Sequence, residues 1–203
     1  MITKQTLEDL YIANQLSVST IAKQLSCSQG SVNYWLAKHG IEKRSISDAI
    51  YIKHNPLGDP FTIPSINTID KARLYGLGIG LYWGEGTKAN KHSVRLGNSD
   101  PELLRVFIRF LVELYGVKKE DMRFGLQLFS DIDKDEALGF WCQKLGVSQK
   151  QFYKPYVSIS GSLGTYRAKS TYGVVTLYYH NKRLRDTIAS ALPKTTLSQE
   201  YKS

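Results

Sequence analysis

The sequence predicts an α+β protein in two units: a small, all-helical N-terminal unit and a larger one mixing helices with a mostly antiparallel sheet. Three observations lead there. Residues 1–45 place their apolar side chains at helical spacing only. Residues 54–68, HNPLGDPFTIPSINT, hold three of the six prolines and no helical period, which is the composition of a linker. From residue 69 onward, amphipathic helical stretches alternate with short runs in which apolar and polar residues alternate strictly. The expected units are thus 1–53, a linker at 54–68, a second domain at 69–195 and a tail at 196–203.

At 203 residues and 42% hydrophobic, the chain can bury a substantial core. The N-terminus MITKQTLEDL lacks the apolar core of a signal peptide, and the apolar run around residue 80 is too short to span a bilayer. Cys27 and Cys142 have no CxxC partner, so a reducing compartment is expected. These features together predict a cytoplasmic protein with no membrane partner. Net charge is +9, unevenly spread: 1–53 carries six Lys/Arg against four Asp/Glu, 54–149 twelve against twelve, and 150–203 nine against two. Such a bias fits either a polyanionic partner or a basic surface kept for solubility.

In the N-terminal unit, TLEDLYIANQ sets Leu7, Leu10, Tyr11 and Ile12 along one stripe. A second helix, VSTIAKQLS, follows with Ser19 expected as its N-cap. A third, SQGSVNYWLAKHG, buries Val32, Trp35 and Leu36 and stops at Gly40. Ile21, Ala22, Leu25, Val32 and Leu36 point inward, with the small Ala22 where two helices cross. IAKQLSCSQGSVNYWLAKHGI resembles the resolvase- and invertase-type helix-turn-helix domains over about 40 residues, with Ser26 in place of the usual turn glycine. The resemblance makes the third helix the DNA-reading element. Its outward residues are Gln29, Ser31, Asn33, Tyr34 and Lys38. Gln and Asn suit adenine edges, and Lys and Tyr suit phosphates. Arg44, just beyond, is expected to track a neighbouring groove. The alternative is a plain three-helix packing module.

LYGLGIGLYWGEG, residues 74–86, is apolar apart from its glycines and Glu85. Glycine costs a helix about 1 kcal/mol relative to alanine, yet Gly76, Gly80 and Gly84 recur four apart and so share one face. A face without side chains lets a second backbone approach closely. GLYWGEG (80–86) resembles the closing seven letters of the LAGLIDADG homing endonuclease motif: Gly80 and Leu81 match, Gly84 takes the small position, Glu85 the final acid, and Gly86 closes it. Trp83 replaces the motif's first aspartate, which is not the metal ligand.

The resemblance implies an αββαββα domain over residues 69–192, with a helix pair packed along Gly76, Gly80 and Gly84. It implies Mg²⁺ (or Mn²⁺) held by Glu85 and the Gly84 carbonyl. The elements expected after the motif are SVRLGNSD, PELLRVFIRFLVELYG, MRFGLQLF, DKDEALGFWCQKLG, then YVSIS and YGVVTLYYH flanking a basic hairpin at 161–173, then NKRLRDTIASAL. Apolar-in, basic-out strands would put Arg95, Arg123, Gln127, Arg167 and Lys169 against DNA. Gln127 or Lys169 would position the attacking water or the phosphate. Only GTKANKHS separates Glu85 from Val94, too short for the long first DNA-reading strand of typical members.

Competing motifs fail on spacing. GxGxxG would need a glycine at Leu81 or Trp83, and no strand precedes it. His39, His54, His92 and His180 are scattered without a metal pattern, and no GxSxG appears. A serine recombinase would need a catalytic domain before the helix-turn-helix, and with Met1 so close to that motif none is expected. The resemblance to the LAGLIDADG family therefore implies a homodimeric, metal-dependent endonuclease acting on double-stranded DNA and on no small-molecule substrate. The alternative is a non-catalytic transcriptional regulator using the same two domains.

Overall fold

The computed structural model describes residues 1–158 and 171–193. It is a mixed α+β chain that divides into two compact units, Met1–Pro60 and Phe61–Ser203. The division falls inside the expected linker, because Phe61 is buried in the core of the second unit and the Thr62 N–H donates to the Tyr115 carbonyl. No helix among the described residues is long and apolar enough to cross a membrane.

The first unit consists of α1 (Lys4–Leu7, continuing as a π-helix over Glu8–Ala13), α2 (Val18–Gln24), α3 (Gln29–Lys38) and α4 (Ile46–His54). Its core is Leu7, Tyr11, Ile21, Ala22, Val32 and Leu36. Trp35 is only half-buried and Ile12 is exposed, so the inward stripe is narrower than expected. The N-cap of α2 is Ser17 rather than Ser19: the Ser17 hydroxyl accepts from the Thr20 N–H at 3.1 Å, two residues earlier than expected. Between α2 and α3, Ser26 holds φ +51°, a left-handed conformation that favours glycine.

The second unit begins with α5 (Ile69–Glu85), capped by Thr68, and continues through β1 (Val94–Asn98) and α6 (Pro101–Arg109, extended as a π-helix over Phe110–Leu114). Then follow β2 (Arg123–Phe129), α7 (Lys134–Leu145), β3 (Tyr156–Ser158), β4 (Val174–Tyr179) and α8 (Lys182–Ser190). Local chemistry sets these limits. Asp100, Asp133 and Asn181 cap α6, α7 and α8 through side-chain oxygens, and Gly116 and Gly146 end their helical segments with positive φ.

Strand order is β1-β4-β2-β3, with β4 antiparallel to β1 and β2, and β3 parallel to β2. This corrects the expected hairpin: β3 and β4 are not neighbours, because β2 lies between them. The physical reason is burial. β4 contributes Val175, Leu177 and Tyr179 to the core and needs partners on both edges, while β3 is three residues of mostly exposed chain. Helices cover one face of the sheet. From α6, Leu104, Phe107, Ile108 and Leu111 recur at helical spacing and meet Leu96, Phe124, Leu126, Leu128 and Leu177. Full burial of each such side chain contributes about 1.5–3 kcal/mol.

Candidate nucleic-acid interface

One helix positions the principal candidate residue. On α5, Leu74, Gly78 and Tyr82 face inward, and Gly78 is the glycine at which the helix is pressed close, against Phe110. Gly76, Gly80 and Gly84 occupy the opposite, solvent face, and a β-carbon at any of them would meet nothing within 4 Å. Leu77 (56% exposed) and Trp83 (48% exposed) lie on that same open face. Among the described residues, the glycine stripe therefore packs against nothing.

Glu85 is the last residue of α5 and is exposed. The turn after it is held on two sides. Toward the sheet, Gly86 bridges Leu96 and the Thr87 N–H donates to the Arg95 carbonyl at 3.0 Å. Toward α8, the Arg185 guanidinium donates to the Lys88 carbonyl at 2.6 Å and to Asp186 Oδ1 at 3.0 Å. The Lys88 ammonium in turn donates to the Trp83 carbonyl at 2.6 Å, closing the last turn of the helix. Gly86 must be glycine, because a β-carbon there would lie 2.4 Å from the Tyr82 carbonyl oxygen. Burial pushes the Tyr82 phenol up from its ordinary value, with Arg185 pulling the other way. Asp186 is displaced upward by burial but held below the usual carboxylate range by Lys182 and Arg185.

The open face of the sheet carries its polar residues in cross-strand rows. Arg95, Tyr178 and Arg123 form one row across β1, β4 and β2. Beside it, Gly97 and Gly125 flank Thr176, leaving a lane almost without side chains. The Arg95 guanidinium sits 5.2 Å from the Tyr178 ring centre. Tyr153 packs edge-on to Tyr178, and its hydroxyl lies 2.8 Å from His180 Nε2. His180 is held below the ordinary histidine value by partial burial, then by Arg95 and Arg123. Sequence reasoning missed Tyr153 and His180. Tyr178 and His180 do follow the outward alternation of β4, but nothing local connects them to Tyr153, 27 residues away.

The structure does not bring Gln127 to Glu85. Gly86, Leu96, Leu177 and Phe124 share one row, and Gln127 lies three residues further along β2. Strand spacing and rise then separate Gln127 from Gly86 by roughly 17 Å within one chain. The residues that accompany the Glu85 turn are Arg95 and Lys88 instead. Lys169 and Arg167 lie outside the described residues.

On α3, Gln29, Tyr34 and Lys38 are exposed, and Ser31 and Asn33 are half-buried. The Lys38 ammonium rests 4.8 Å from the Trp35 ring centre and 5.6 Å from that of Tyr34. Arg44 is engaged within the first unit. Its guanidinium stacks 4.0 Å over the Tyr11 ring and donates to the carbonyls of Tyr11, Gln15 and Leu16. It thereby satisfies carbonyls left open at the end of the first helix. Compared with known proteins, the chain matches no family model, no curated protein and no solved structure.

Proposed function

We propose that this protein binds double-stranded DNA in a sequence-specific way and hydrolyses it as a homodimer with a divalent metal. One observation carries the reading: α5 turns three glycines spaced four apart to solvent and ends on an exposed carboxylate. Each such glycine costs about 1 kcal/mol against alanine and meets no packing partner among the described residues of its own chain. A second α5 packed along the stripe recovers that cost and brings two Glu85 carboxylates together.

The pairing also bears on the metal. Among the described residues, no three His, Cys, Asp or Glu side chains gather to hold one, and the reading draws its donors from two chains. Two Glu85 carboxylates with the Gly84 carbonyls would form an oxygen-only set suited to Mg²⁺ or Mn²⁺. A metal bound there would lower the pKa of a water and offset charge on the leaving oxygen. Arg95 and Arg123 on the sheet, and Gln29 and Asn33 on α3, would supply phosphate and base contacts respectively.

The test is selection of a binding site from a random DNA library, followed by incubation with and without Mg²⁺. Wild type should cut its selected site, and Glu85→Gln should abolish cutting while binding DNA as tightly or slightly more tightly. A wild type that binds this site but nicks it in neither Mg²⁺ nor Mn²⁺ overturns the endonuclease reading. That result would favour the second reading, a regulator that binds DNA without cutting, which the single acid at the C-terminal end of each α5 also suits.

A further inference from the structure

Among the described residues, the Tyr82 hydroxyl and Arg185 Nε are buried without a well-formed hydrogen bond, and the two side chains lie close enough for Arg185 to pull the Tyr82 phenol downward against its burial. Burying such groups costs free energy, so their residues need another reason to be where they are. Arg185 has one. Its side chain is only 15% exposed, and the two ends of its guanidinium join α8 to the turn that follows Glu85, through Asp186 on one side and the Lys88 carbonyl on the other. Lys182 donates to Asp186 at 2.6 Å and so fixes the carboxylate that orients Arg185.

Without this tie, the hydrogen bonds that hold residues 86–88 among the described residues would be the backbone contacts with β1, the Gly86 N–H on the Tyr82 carbonyl and the Lys88 ammonium on the Trp83 carbonyl. A carboxylate that must share a metal with its symmetry mate tolerates little positional freedom, since small misplacements near reacting groups cost large factors in rate. We infer that Arg185 is a positioning residue that locks the Glu85 end of α5 in place from α8. The inference rests on the reading of Glu85 as the catalytic acid, and the experiment separates the two.

The full-length protein is compared with Arg185→Gln and Arg185→Lys. The first measurement needs neither metal nor DNA: amide hydrogen exchange at Gly86 and Thr87, read against core amides of Leu96 and Leu177. Arg185→Gln should speed exchange at 86 and 87 tenfold or more, leave the core amides unchanged, and Arg185→Lys should fall between. The second measurement is Mg²⁺-dependent cleavage of the selected site, where Arg185→Gln should lower kcat at least tenfold without changing KM or DNA affinity, with partial recovery in Arg185→Lys. If Arg185→Gln fails to fold, Arg185→Lys carries both comparisons, with smaller changes of the same sign. Unchanged exchange at 86 and 87, or altered exchange with wild-type kcat, overturns the inference alone. A wild type that never cuts overturns the endonuclease reading and the positioning role of Arg185 in cleavage with it.

Discussion

Gly78 of α5 lies so close to Phe110 that a β-carbon built on it would sit 2.1 Å from the ring. Phe110 is itself fully buried and packed edge-on against Tyr115 and tilted against Phe107, so it has nowhere to retreat. Gly78→Ala should therefore destabilise the second unit by about 1–3 kcal/mol, read as a lowered midpoint in urea. A midpoint equal to wild type would mean that this contact is looser than the geometry indicates.

Gly80→Ala should do the opposite to the isolated chain. Its β-carbon meets nothing within 4 Å, so better helix propensity should stabilise the unit by up to about 1 kcal/mol. In a homodimer packed on the stripe, the same methyl group would hold the helices apart and weaken association tenfold or more. Sedimentation and thermal unfolding, run together, should show opposite signs. A variant that dimerises as well as wild type removes the stripe from the interface.

Ser26 holds φ +51° at the turn between α2 and α3. A left-handed conformation costs a non-glycine residue about 1–2 kcal/mol, so Ser26→Gly should raise the stability of the first unit by a fraction of that, after the added freedom of the unfolded chain. Differential scanning calorimetry reads this directly, and a lowered transition temperature would contradict it.

Protonation of His180 should destabilise the fold. Partial burial and the nearby Arg95 and Arg123 hold its pKa below the ordinary 6.5, so the folded state prefers the neutral ring. The resulting stability is present above the ordinary value and is lost as pH falls through the lowered one. Wild type should lose more thermal stability between about pH 7.5 and pH 5 than His180→Gln, which cannot titrate. Parallel melting curves for the two proteins across that range would show that the ring is not strained by its neighbours.

Base preference should reside partly in α3. Gln29 and Asn33 are its only amides outside the buried face, and changing both to alanine should relax selectivity at a few adjacent positions, each worth about 1–3 kcal/mol. An unchanged selected-site profile would reassign α3 to contact with protein.

Much of this molecule could be read from short stretches of sequence. The cap at Asp100, the alternation of Met122, Phe124, Leu126 and Leu128 into the core, and the ends at Gly116 and Gly146 all depend on residues within a turn or two of each other. Such preferences act locally, so periodicity and capping chemistry expose them. That Gly76, Gly80 and Gly84 share one face was visible in spacing alone, but that this face turns to solvent while Gly78 is pressed into the core was not, because Phe110 is 32 residues away. The placement of β2 between β4 and β3, the commitment of Arg44 to the carbonyls of Tyr11, Gln15 and Leu16, the distance of Gln127 from Glu85 and the meeting of Tyr153 with His180 were likewise decided by tertiary structure. In each case the deciding contact is long-range. Its partner is chosen by which surfaces are buried once the helices and strands are assembled, and no period within a single segment carries that information.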